Sequence, residues 1–205
     1  MDRRHRTEHE KGVITMENTR IGFAMCGSFC TFAAALEQAK LLAEEGFDIL
    51  PIMSENAYST DTRFGTAQSC IDPLQELSGK DIVHTIVQAE PIGPKNLADV
   101  LVVAPCTSNT LAKIANGVND TAVTMSVKSQ LRNGKPVVLA LSTNDALAAA
   151  ARNIGQLMNQ RNLYFVPLHQ DDPAAKPRSM SADLAQLLPT IRAALDGKQI
   201  QPMVF

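Results

Sequence analysis

Tryptophan is absent from this sequence, and all aromatic residues together make up only 4% of it. So few rings leave little for a surface that stacks on unpaired bases. Charge of one sign is missing too. The 19 Lys and Arg stand against 21 Asp and Glu, a formal net charge of -2. That balance supplies no long-range field to draw in nucleic acid or an anionic membrane. No apolar run approaches the roughly 18 residues of a membrane span. Residues 1–19 (MDRRHRTEHEKGVITMENT) lack the apolar segment of a secretory signal. The four cysteines, Cys26, Cys30, Cys70 and Cys106, form no CxxC pair, and no His stands at metal-ligand spacing from them. This argues against a zinc site or a disulfide framework and for a reduced, cytoplasmic protein without metal. The GxGxxG dinucleotide fingerprint is also missing.

What remains is a chain of ordinary globular composition, with 45% hydrophobic and 20% charged residues over 205 positions. That length suits one domain. Residues 1–19 are expected to be a disordered extension, and residues 20–205 a single α/β domain. The pattern alternates. RIGFAM (20–25) reads as a buried strand, 31–45 as a helix closed by Gly46, and FDILPIM (47–53) as a strand. The stretch 54–65 (SENAYSTDTRFG) is too rich in Ser, Thr, Asn and Asp to be regular. Residues 66–77 read as helix, and 81–95 are ambiguous because PIGP cannot be helix interior. ADVLVVA (98–104) is a strand bounded by Pro105. Its continuous apolarity means burial on both faces, as in a parallel sheet. Helices are expected over 107–116 and 120–133, a strand over 136–141, a helix over 145–160, a strand over 163–168 and a last helix over 181–195. The stretch 169–178 reads as a long surface loop or lid, or as a partner-binding arm. Strands alternating with helices give a Rossmann-like, doubly wound parallel sheet flanked by helices.

Ligands of such sheets bind outside the carboxyl ends of the strands. That rule selects four loops. CGSFCT (26–31) offers Gly27 for close backbone approach and Ser28 at a helix start, which suits an anion; the plain alternative is a tight turn. Ser54, Thr60, Asp61, Thr62 and Arg63 follow the second strand, as an anion loop or a solvated turn. PCTSNTLAK (105–113) places four small polar residues, Thr107, Ser108, Asn109 and Thr110, where a helix opens. One or two would cap it, and the surplus points to a ligand. STND (142–145) is the fourth, with capping as its plain reading. No nucleophile–base pair stands out. His84 is the one His within a structured segment that could face a pocket.

Residues 98–124 (ADVLVVAPCTSNTLAKIANGVNDTAVT) resemble the flavoprotein family of homo-oligomeric flavin-containing cysteine decarboxylases and flavin prenyltransferases. The shared pattern is a strand ending in A-P, a small polar loop, N-T-x-A-K-x-A-x-G and a later D. Gly27 and Ser28 fit the family's phosphate loop. The resemblance implies the flavoprotein fold, FMN as cofactor and a site formed between subunits of a homo-oligomer. Gly27, Ser28 and Ser54 would take the phosphate, and Pro105, Thr107, Ser108, Asn109 and Thr110 would line the ring. The segments GFAMCGSFCT, STDTRFG, AEPIGPK, LRNGKPVVLALSTNDAL and GKQIQP resemble one branch of the family, found in spore-forming bacteria. That resemblance implies oxidation of dihydrodipicolinate to dipicolinate in the sporulating mother cell. It also implies a partner subunit that resembles a nicotinamide-nucleotide dehydrogenase and carries NAD(P). Pro91 stands where the family's decarboxylases carry a catalytic His, which disfavours decarboxylation.

Two carboxylates on the substrate call for cations, and Arg63, Lys95, Lys113 and Arg132 are the candidates. Arg63 and Lys113 lie beside strand-end loops and are preferred. Two other readings stay open: a flavin-dependent decarboxylase or prenyltransferase, and a non-catalytic subunit that presents substrate.

Overall fold

A computed structural model describes residues 19–205. The expected disordered extension therefore falls outside the described residues, except for Thr19. Thr19 is buried, and its carbonyl accepts the amide of Asp48.

Five strands run parallel: β1 Arg20–Met25, β2 Asp48–Met53, β3 Val100–Cys106, β4 Val137–Thr143 and β5 Leu163–Phe165. Their spatial order is 2-1-3-4-5. β3 is buried at all seven positions, as its unbroken apolar run requires. Around the sheet lie α1 Phe32–Glu44, α2 Glu55–Ser59, α3 Gln68–Ser78, α4 Ile86–Ala89, α5 Ser108–Ala115, α6 Ala122–Arg132, α7 Ala151–Met158 and α8 Leu187–Leu195. The expected doubly wound architecture is therefore present, with one addition. β6 Leu168–His169 and β7 Met180–Ala182 join antiparallel, so the seven-stranded sheet is mixed.

That addition explains two departures from the sequence reading. β5 covers only the first half of β4, at Val137–Leu139. β7 takes the second half, pairing with Ser142 and Thr143. Met180, Ser181 and Ala182 are thus drawn into the sheet. The last helix starts at Leu187 instead of 181, after a 3-10 turn whose Asp183 cap accepts the Ala185 amide. The strand expected over 163–168 splits in two at Val166 and Pro167, because Pro167 has no amide to give a ladder.

Four smaller differences follow. The stretch after β2 is not wholly irregular: Ser54 accepts the Ala57 amide and starts the short helix α2. β3 runs through Pro105 to Cys106, with a shift of register against β4 between Val103 and Cys106. Pro105 sits in that shift, where no ladder amide is needed, and its carbonyl accepts the Cys26 amide at 3.3 Å. The helix expected over 145–160 begins at Ala151, since residues 145–150 form turns held by Asp145. The ambiguous stretch 81–95 resolves into a bridge from Val83 to Ile52 on the outer edge of β2, then α4 and a 3-10 turn.

At the opposite end of the sheet one ionic knot joins three strands. Asp99 accepts the Arg20 backbone amide at 3.0 Å, the Arg20 guanidinium at 2.7 and 3.1 Å, and the Lys135 ammonium at 3.3 Å. Burial works against the Asp99 charge, but the hydrogen bonds from Arg20 and the Lys135 charge prevail, and its pKa falls to about 2. Arg20, Asp99 and Lys135 precede or open β1, β3 and β4, so the knot pins the sheet end remote from the candidate site.

Candidate functional site

The strand order reverses between β1 and β3. β1 leads outward to β2, and the chain then returns past β1 to build β3, β4 and β5. At such a switch point the loops after the two inner strands diverge and leave a crevice. A cavity of about 460 Å³ opens there, lined by Gly27, Ser54, Glu55, Asn56, Thr107, Ser108, Asn109, Thr110, Lys113, Asp120 and Thr121. Its volume lies within the range of small-molecule sites, about 300–1,000 Å³.

The cavity is built from helix starts. Ser54 caps α2, Thr107 caps α5 and Thr121 caps α6, each with its hydroxyl accepting an amide of the first turn. The amide donors are Ala57 at 3.3 Å, Thr110 at 3.2 Å and Thr124 at 3.1 Å. Three N-termini thus converge on one space, and their partial positive charges favour an anion. Capping engages only part of residues 107–110. Thr107 caps. Thr110 is buried and accepts the Thr107 hydroxyl at 3.2 Å. Ser108 and Asn109 line the cavity, and their side chains make no hydrogen bond among the described residues.

The charged side chains divide differently. Lys113 lines the cavity, yet both Asp120 oxygens hold its ammonium at 2.8 Å. The lysine's hydrogen bond draws the exposed Asp120 carboxyl below its ordinary pKa. Glu55 adds a second carboxylate, so the three charged residues of the lining sum to -1. Arg63 does not line the cavity. It is exposed, with its guanidinium 4.8 Å from the centre of the Phe64 ring. Lys95 and Arg132 are not in the lining either.

The other expected residues fall around the cavity. Pro105 is buried inside β3, behind the lining rather than in it. Ser28 faces a second polar cluster. Its Oγ lies 2.8 Å from Thr31 Oγ1 and donates to Ser142 Oγ at 3.2 Å. The turn after β1 is thereby tied to the end of β4. His84 stacks on Tyr58, with ring centres 3.8 Å apart, outside the lining. Cys26 and Cys106 are fully buried beneath the loops. Burial pushes the Cys26 thiol up to about 11, and burial pushes the Cys106 thiol well up too, so neither supplies a thiolate.

Four lining residues escaped the sequence reading: Glu55, Asn56, Asp120 and Thr121. Thr121 carried a local signal, a hydroxyl before an amphipathic helix with a capping-box partner at Thr124. Glu55 and Asn56 carried none, because α2 is one turn long and shows no periodicity.

The Flavoprotein family matches residues 11–187. The B subunit of dipicolinate synthase from Bacillus subtilis (strain 168) is 42% identical over 190 residues, covering 93% of this chain and 95% of that protein. The solved structure of the corresponding dipicolinate synthase B subunit from Bacillus halodurans superposes with a TM-score of 0.85 at 42% identity, over 93% of this chain and 97% of that one. The FMN-dependent cysteine decarboxylase SpaF gives a TM-score of 0.65 at 25% identity, over 88% and 97%. Among the described residues, no helix is long and apolar enough to cross a membrane. The match spans most of the chain and the likeness to the Bacillus proteins is close to full length: the chain belongs to the Flavoprotein family, on the branch of the dipicolinate synthase B subunits.

Proposed function

We propose that this chain is the B subunit of a dipicolinate synthase, acting with an A subunit to oxidise dihydrodipicolinate to dipicolinate. The observation that carries this reading is the 42% identity over 93% of this chain and 95% of its Bacillus subtilis relative. The polar cavity supports it, since it lies at the sheet's switch point, where a nucleotide of the family's kind is held.

The lining fits a flavin nucleotide. Gly27 and Ser54, with the amides that open α2 and α5, offer a cradle for the phosphate. Ser108 and Asn109 offer free hydrogen-bonding groups for a ring edge or carbonyls. When bound, FMN supplies a two-electron acceptor for hydride. This chain's own task is then to hold, orient and shield. The lining contains no aromatic or large aliphatic side chain. A ring lying in it would find its apolar contacts on another chain, which accords with a site shared between copies or with the A subunit. Aromatisation makes the oxidation downhill, so the residues need only place the ring carbon roughly 3–3.5 Å from the acceptor. The NAD(P) of the reaction belongs, on this reading, to the A subunit.

Absorbance and activity of the chain, alone and mixed with the A subunit, test the proposal. Expected are flavin bands in the purified or FMN-reconstituted chain and dipicolinate formation by the pair. A colourless chain that ignores FMN removes the flavin. A pair that leaves dihydrodipicolinate unchanged removes the reaction. Turnover by the mixture while this chain stays free of flavin would favour a subunit that only completes the pocket of its partner.

A further inference from the structure

The strap of residues 170–179, which joins β6 to β7, is fastened to the carboxyl end of β4, at the same end of the sheet as the site. β7 pairs with Ser142 and Thr143 of β4. Ser179 Oγ donates to the Thr143 carbonyl at 3.2 Å, and the Leu147 amide donates to the Arg178 carbonyl at 3.0 Å. Ser142 in turn accepts from Ser28 and lies 3.3 Å from Thr31 Oγ1. The strap thus returns across the end of β4 to the border of the Gly27–Ser28 turn.

Its sequence there is Lys176-Pro177-Arg178-Ser179. The Ser179 amide donates to the Lys176 carbonyl at 3.0 Å, closing a tight turn with Pro177 and Arg178 at its centre. Pro177 fixes its own backbone angle, so the turn is held open as a rigid mount. Lys176 is positioned by Asp171, whose Oδ2 lies 3.1 Å from the ammonium. This single contact leaves two ammonium hydrogens free. Beside the Gly27–Ser28 turn, Cys30 Sγ is 4.0 Å from Ser28 Oγ. Arg178 is exposed, and its guanidinium makes no hydrogen bond or ion pair among the described residues. The other charges nearby are Asp172, which accepts the Ala175 amide at 2.9 Å, and Asp145, which holds Thr143.

With its helix starts given to a phosphate, the cavity has little left for a second dianion. Its charged lining sums to -1, and its one cation, Lys113, is taken up by both oxygens of Asp120. A substrate with two carboxylates must find cations at the rim. We propose that the Lys176–Ser179 turn is a two-cation clamp for a dicarboxylate, Lys176 holding one carboxylate and Arg178 the other. This deepens the dehydrogenase reading above and rests on it for the identity of the substrate.

The test compares dipicolinate with picolinate, which keeps the ring and has one carboxylate, by calorimetric titration of the full chain with its A subunit. The wild type binds dipicolinate more tightly than picolinate. K176A and R178A each weaken dipicolinate roughly tenfold and picolinate less than about threefold, the loss expected for one charge-assisted contact. R178K recovers part of the loss, since charge without the fork remains. In turnover, KM for dihydrodipicolinate rises in both variants while kcat stays within about threefold, a split that a merely structural role would not produce. A ratio of the two affinities that either variant leaves unchanged overturns the clamp, as does equal loss for both ligands. A wild-type pair that binds dipicolinate by this ratio but oxidises nothing disproves the dehydrogenase reading and leaves the clamp standing.

Discussion

Ser108 and Asn109 give the sharpest test of the cavity, because their neighbour Thr107 provides an internal control. All three line one wall. Thr107 caps α5, whereas the Ser108 and Asn109 side chains are bonded to nothing among the described residues. Removing an unengaged surface group changes stability by no more than about 0.5 kcal/mol. S108A and N109A should therefore melt with the wild type. Removing a cap costs about 1 kcal/mol, which for a chain of this size lowers Tm by roughly 2–4 °C. T107A should show that drop. Ligand affinity sorts the residues differently. A hydrogen bond to a neutral ring group contributes about 0.5–1.5 kcal/mol, so each of S108A and N109A should raise the Kd for FMN by roughly 2–12-fold. Titration of FMN by fluorescence quenching, with melting curves at equal protein concentration, measures both quantities. FMN affinity within twofold of wild type in S108A and N109A, or a loss of stability in them equal to that of T107A, refutes the division of labour between cap and ligand.

The Asp99 knot predicts an acid dependence. A carboxyl held at about 2 in the folded chain, against roughly 3.9 when unfolded, contributes stability that is full above pH 4 and fades as pH falls through 2. The pair is about one-third exposed, which discounts the contribution to roughly 1 kcal/mol. D99N should lower Tm by a few degrees at pH 7, and the gap should close towards pH 2; a gap that persists there shows that charge is not its origin. Gly93 tests packing. A Cβ built there lies 2.2 Å from Ser129 Oγ and 3.0 Å from the Ser129 carbonyl oxygen, and the Gly93 amide donates to that hydroxyl. G93A should cost about 1–3 kcal/mol by overpacking, and a melting curve within 1 °C of wild type would contradict the contact. Finally, Cys30 is exposed while Cys26, Cys70 and Cys106 are buried. A thiol reagent should titrate one cysteine in the native chain and four after denaturation; rapid reaction of a second native thiol would show that the loops over Cys26 and Cys106 open.

How much of this was legible follows from the range of the interactions involved. The apolar run of residues 98–104 announced a strand covered on both faces, and the small polar residues at 107–110 announced a helix start with polar groups to spare. Both are local properties of chain and solvent, so the alternating α/β order and two of the site's walls could be read directly. The resemblance of residues 98–124 to a flavin-binding family pointed to the same loop. Other features are decided by partners distant in sequence. Met180–Ala182 became a strand because β5 leaves half of β4 uncovered, and nothing within MSA says so. Arg63 and Lys113 look alike in the sequence as cations beside strand ends. The fold sets Arg63 on the ring of Phe64 outside the cavity and engages Lys113 with Asp120 within it. Ser28, Thr31 and Ser142 meet across more than a hundred residues. The sequence by itself determined the five parallel strands and where helix starts could receive an anion, since burial and capping act within a few residues. Only the tertiary structure decided which of those starts share one cavity and which cations remain free to serve it, since charge pairing depends on what the folded chain brings within a few ångströms.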